Sequence, residues 1–135
     1  MRNICEDNEF VIANYYVPIN KGKNMTAKNQ AFHIELDDEN LKAFHEVSAN
    51  REDITKGESP IGRVWESQDY EWIKNVQYKS SDRYPRKYNA IESKLQTCLV
   101  IAHIENGEFL GVMEFFLQEE WPEIEGIVEK VRFYT

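Results

Sequence analysis

Residues 97–117 read TCLVIAHIENGEFLGVMEFFL, two apolar runs around a turn that holds Asn106 and Gly107. Both turn residues tolerate the positive φ that a type I′ hairpin demands, so the stretch predicts an antiparallel pair over residues 97–104 and 108–117. With Asn106 and Gly107 at the centre, Cys98 faces Phe115, Val100 faces Met113, Ala102 faces Gly111 and Ile104 faces Phe109. Strand side chains alternate, so one face of this hairpin is apolar throughout. The other carries Leu99, Ile101, His103, Leu110, Val112, Glu114 and Phe116. Such a hairpin needs cover on both sides: two helical layers, or helices on one side and a roofed cavity on the other. His103 and Glu114 mark the second face as the cavity side. A carboxylate in mid-strand is costly unless paired or hydrogen bonded, so Glu114 either lies near the sheet's rim or bonds to a loop amide, or it lines a polar cavity with Arg63 or Arg83 as its partner.

Working outward, residues 10–17 (FVIANYYV) and 31–36 (AFHIEL) read as strands, the first stopping at Pro18 before the polar loop INKGKN. Asp37 and Asp38 can cap a helix through Leu41, Phe44 and Val47 that ends near Asn50. Ser59 followed by Pro60 reads as a helix start, with Ser59 accepting from the free amides and the helix running to Ser67. Tyr70 to Val76 suggests a short strand, and Pro85 opens a helix through Tyr88, Ile91 and Leu95. From Trp121 to Thr135, apolar residues at 121, 124, 127, 128, 131 and 134 make an amphipathic terminal helix.

The length of 135 residues fits one domain over 1–135. With 24 acids against 16 bases the net charge is −8, which disfavours nucleic acid and anionic membrane surfaces as partners. Two cysteines, Cys5 and Cys98, without CxxC spacing, point away from a disulfide scaffold or zinc site and toward a reducing, cytoplasmic setting. No apolar run approaches the length of a membrane helix. Cys98 and His103, five apart on one strand, point to opposite faces and form no catalytic pair. His33, His45 and His103 lie on separate elements outside any metal motif, and the acid pairs 37–38 and 119–120 read as helix-start residues. No nucleophile and base share a face, so an enzyme is not expected.

The runs KGESPIGRVW, WIKNV, DRYPR and GEFLGVMEFF, at residues 56–65, 72–76, 82–86 and 107–116, stand in an order that resembles a GAF domain of the bacterial and plant sensory type. Ser59 stands where that family usually has a glycine, and Pro60 where it usually has an aliphatic residue. The resemblance implies an α+β fold: an antiparallel sheet of five or six strands, helices on one face, and on the other a ligand cavity roofed by the loops and short helices of residues 50–95. No cysteine lies in 50–95, which speaks against a covalent bilin and against the free methionine sulfoxide reductases that share the fold. No pattern of the cyclic nucleotide binders is present.

The resulting expectation is a sensory or regulatory module of a signal transduction protein that binds a small molecule of unknown identity between sheet and roof. Trp65, Trp72, Arg83, Tyr84, His103 and Glu114 are the candidate ligand contacts. The aromatic rings supply stacking surface, Arg83 an anion contact, and His103 or Glu114 an orienting group. The alternative is an interaction module whose cavity is filled by its own side chains. In either case a homodimer through the terminal helices is expected.

Overall fold

The computed structural model describes residues 10–19, 24–27, 39–49, 54–78, 86–123 and 126–133. The hairpin forms as β4 (Thr97–Glu105) and β5 (Glu108–Leu117), and its turn residues Asn106 and Gly107 take φ of +51° and +77°. Next to the turn the pairs are the expected ones, Ile104 opposite Phe109 and Glu105 opposite Glu108. Between His103 and Ile104 the register then shifts, with Leu110 as the extra residue on β5, so that His103 faces Gly111, Val100 faces Glu114 and Cys98 faces Phe116. This corrects the expected pairing. A slip of one residue exchanges the two faces of a strand, and here it puts Glu114 with Cys98, Val100 and Ala102, opposite in direction to His103. The neighbouring strand occupies the space beside the bulge. A Cβ on Gly111 would stand 2.5 Å from the Tyr16 carbonyl oxygen and 2.9 Å from the Tyr15 ring.

β1 (Ile12–Ile19) pairs with β5, β2 (Asn24–Ala27) with β1, and β3 (Tyr70–Ile73) with β4, giving one antiparallel sheet in the order β2-β1-β5-β4-β3. Pro18 lies inside β1 rather than ending it, opposite Met25. The strand expected at 31–36 and the capping acids Asp37 and Asp38 lie outside the described residues.

Four helices are described: α1 (Glu39–Ala49), α2 (Ser59–Ser67), α3 (Lys87–Glu92) and α4 (Ile127–Phe133), with a 3-10 turn at Val76–Tyr78. The first three cover the Glu114 face, where Leu41 and Phe44 of α1, Ile61, Val64 and Trp65 of α2, and Ala90 of α3 share a core with Ile12, Val100, Val112 and Phe116. α4 covers the other face and buries Ile127, Val128 and Val131 against Phe10, Leu99, Met113 and Phe115. The two-sided apolar hairpin therefore receives a layer on each side. α4 begins at Ile127, after Gly126 at φ +81°, and the chain at Trp121 is not helical.

The start of α2 departs from the sequence reading. Glu58 is the N-cap, without a side-chain cap, and Ser59 takes φ +62° with its Oγ buried and unpartnered. The left-handed backbone at 59 costs an L-residue roughly 1–2 kcal/mol and is free to glycine, which accounts for the glycine that the GAF pattern places there. Gly62 is required for a different reason. A Cβ there would come within 2.0 Å of the Thr55 carbonyl oxygen, and the Gly62 carbonyl accepts from the Gly57 amide at 2.9 Å, closing the loop that starts the helix.

Candidate functional site

At the centre of the covered face, β1 and β5 place Asn14 directly opposite Glu114, with Tyr16 two residues along on the same face. Asn14 Nδ2 and Tyr16 Oη both donate to Glu114 Oε1, at 2.8 and 2.7 Å. Arg86, the residue before α3, completes the group. Its Nη1 and Nη2 donate to Glu114 Oε1 and Oε2 at 2.8 and 2.6 Å, and Nη1 also donates to Ser48 Oγ of α1 at 2.7 Å. The two-pronged geometry matches a planar guanidinium to a carboxylate, the strongest form of the interaction. The guanidinium carbon stands 5.1 Å from the Phe44 ring centre and 5.9 Å from that of Phe116, within cation–π range of both.

Burial pushes the Glu114 carboxyl up. The Arg86 charge and the hydrogen bonds from Arg86, Tyr16 and Asn14 outweigh it, and the carboxyl is held below its ordinary value. The group is thus an ionised pair joining the central strand to α1 and to the start of α3. One polar atom in it has no partner: Asn14 Oδ1 is buried without a donor, as is Ser59 Oγ at the head of α2.

A second Arg–Glu pair ties the roof to the sheet at its edge. Arg63 of α2 donates through Nε and Nη2 to Glu71 of β3 at 2.7 and 3.0 Å. This corrects the expected partnership of Glu114, whose cation is Arg86. Arg83 and Tyr84 lie outside the described residues.

The remaining candidates divide between the faces. Trp65 is buried in the roof core, with Lys56 Nζ 5.2 Å from its ring centre. Trp72 is on the α4 face, where its Nε1 donates to the Trp121 carbonyl at 3.0 Å. His103 is also on the α4 side, its Nδ1 2.6 Å from Tyr15 Oη and its Nε2 3.2 Å from Glu105 Oε1. The sheet therefore separates Trp72 and His103 from Trp65 and Glu114, and one pocket cannot use all four. Tyr15 is raised above its usual value by burial and then by the Glu105 charge.

Arg86, Asn14, Tyr16 and Ser48 were not among the candidates. Their signal was present in part: Asn14 is a polar residue within an apolar strand, as Glu114 is, and two such residues in adjacent buried strands must find partners. Cys98 is buried in the roof core, and burial followed by the Glu114 charge pushes its thiol well above the ordinary value, which removes it as a nucleophile. No group of three metal-binding side chains occurs among the described residues.

The chain is similar in fold to several solved structures. The GAF domain of a two-component sensor histidine kinase from Bacillus halodurans aligns with a TM-score of 0.70 at 12% identity, covering 98% of this chain and 84% of that one. NreA of Staphylococcus aureus, mutated in its nitrate binding site, aligns at 0.65 and 15% identity, covering 92% and 86%. The reduced form of fRMsr from Staphylococcus aureus aligns at 0.65 and 10% identity, covering 98% and 73%. No curated protein matches in sequence. The family model described as "NLP protein GAF domain" matches residues 1–128, and the chain belongs to that family of GAF domains.

Proposed function

We propose that this GAF domain is a sensory module of a signal transduction protein that takes up a small molecule between its sheet and the roof formed by α1, α2 and α3. The observation that carries this reading is the polar centre of the covered face, where Asn14 Oδ1 is buried without a partner beside Glu114. An orphaned buried polar atom costs about 1–3 kcal/mol, and a ligand able to hydrogen bond there recovers that cost. Arg86 is the hub through which binding reaches the rest of the molecule, since it touches α1, β5 and the start of α3. A ligand acts by favouring one arrangement of the roof over another.

The test is a thermal-shift and fluorescence screen of small metabolites and inorganic anions. Nitrate is included because NreA, of the same fold, has a nitrate binding site. Trp65, alone among the three tryptophans in packing on this face, is the expected reporter. A ligand of this site changes its emission and loses affinity in Asn14→Ala. If no compound shifts either signal, the ligand-binding reading fails.

A second reading is favoured by the completeness of the Glu114 carboxylate, which takes four hydrogen bonds from the chain's own Asn14, Tyr16 and Arg86. In it the cavity is self-filled, and the domain serves as an interaction module that forms a homodimer through its terminal helices. Ile127, Val128 and Val131 are committed to the sheet, so such a seam uses the exposed Glu129, Lys130 and Arg132. Light scattering of K130E/R132E tests it, with dissociation of a dimer as the expected result.

Both readings place the domain outside catalysis, and the buried Cys98 thiol accords with that and with a cytoplasmic setting. No helix among the described residues is long and apolar enough to cross a membrane.

A further inference from the structure

Between β5 and α4 the chain runs as a non-helical strap over residues 118–123. Hydrogen bonds from four separate positions hold it. The Trp121 amide donates to Thr97 Oγ1 at 2.8 Å, and the Trp121 carbonyl accepts from Trp72 Nε1 at 3.0 Å. Asn75 Nδ2 donates to Glu120 Oε1 at 3.2 Å, and Gln96 Nε2 donates to the Gln118 carbonyl at 2.9 Å. Trp121 is thus fixed by its backbone on both sides, yet its side chain is 40% exposed. Its indole Nε1 donates to Glu119 Oε2 at 3.1 Å, which sets a carboxylate at the edge of the ring. Beside them opens a cleft lined by Val11, Leu117, Gln118, Glu119 and Trp121.

We propose that this cleft is a docking site for an arginine side chain from a basic segment of another polypeptide. An indole with a carboxylate at its edge suits a guanidinium, which stacks on the ring and pairs with Glu119, while its methylenes lie against Val11 and Leu117. Lysine fits less well because its ammonium is compact and strongly hydrated and has no plane to stack. The charge of the strap and of the whole chain points the same way. Glu120 and Glu123 are exposed on the same strap, and the chain carries a net charge of −8, so a cationic segment is drawn in and an anionic one repelled. The backbone needs no ordering on binding, which spares the entropy that a mobile loop would lose.

The test follows the three indole N–H signals of 15N-labelled protein by NMR during titration with the capped peptide Gly-Arg-Gly-Arg-Gly. A saturable shift is expected at Trp121. It should weaken about fivefold to tenfold in Glu119→Gln, weaken with lysine in place of arginine, and disappear with a glutamate peptide, and the heat of arginine-peptide binding measured by titration calorimetry should be lost in Trp121→Ala. Both substitutions are on the surface, and unchanged far-UV circular dichroism with an unchanged Trp65 signal verifies the fold. The proposal is overturned if Trp121 does not respond at millimolar peptide, if lysine and arginine peptides bind equally, or if binding survives Trp121→Ala. A Trp121 shift that depends on protein concentration without peptide also overturns it, because the occupant is then a second copy of the chain.

Discussion

Two Arg–Glu pairs clamp the roof to the sheet at nearly the same distance and in different surroundings. Arg86 and Glu114 meet at 2.6 Å under the centre of the roof, with side chains 5% and 1% exposed. Arg63 and Glu71 meet at 2.7 Å at the sheet edge, 23% and 30% exposed. Only the first needs further support, from Asn14, Tyr16 and Ser48, because water is not there to solvate whatever the partner leaves unsatisfied. The difference teaches that a bond length says little about what a pair contributes. Burial makes the central pair indispensable once present, while replacing it whole costs much less than breaking it.

The comparison can be broken most directly with Arg86→Met. Glu114 is then left charged and buried without its cation, and the expected loss is about 3–5 kcal/mol of unfolding free energy, measured by urea denaturation. A loss below about 1 kcal/mol would mean that the central pair behaves like a surface one. The double change Arg86→Met with Glu114→Leu should recover most of that loss, because no charge is left stranded. Failure to recover would show that the hydrogen bonds of Asn14, Tyr16 and Ser48 dominate instead.

Acid sharpens the contrast further. The Glu114 carboxyl has a lower pKa folded than unfolded, so its contribution is present in full above the unfolded value of about 4.3 and is lost as pH falls through the folded one. Stability attributable to the pair should therefore be level from about pH 8 to 5 and decline at more acidic pH, and the double variant should lack that part of the decline. Denaturation midpoints across a pH series measure it. The smallest effect is expected from Arg63→Met, at most about 1 kcal/mol and reduced by salt, since exposed pairs contribute little and are screened.

Much of the fold was legible because it is local. Asn106 and Gly107 sit at their turn with the positive φ that their chemistry allows, and α1, α2 and the central strands stand close to where the periodicity puts them. The need of Glu114 for a partner was also legible, since a buried charge must be paired or hydrogen bonded, but not that the partner is a cation rather than a loop amide. What failed was the choice of partner and of face. The motif DRYPR holds Arg83 and Arg86 on either side of Pro85, and chain order does not say which of them reaches the sheet. The two-residue-turn register, which holds only next to the turn, puts His103 on the same face as Glu114. Ser59 read as a cap because its residue type favours one, whereas the Thr55–Gly62 loop turns its backbone left-handed and Glu58 takes the cap position.

Alone, the sequence determines what depends on neighbours along the chain: the hairpin and its turn, a sheet that must be covered on both sides, and a carboxylate in mid-strand that needs a partner. Only the tertiary structure decides that Glu114 faces Arg86 and that His103 and Trp72 belong to the opposite side. Face identity is set by the register along the whole strand, and one extra residue at Leu110, beside the close approach of β1 to Gly111, reverses it. The partners of Glu114 come from 28, 98 and 100 residues away, and contacts so distant in sequence leave no spacing to read.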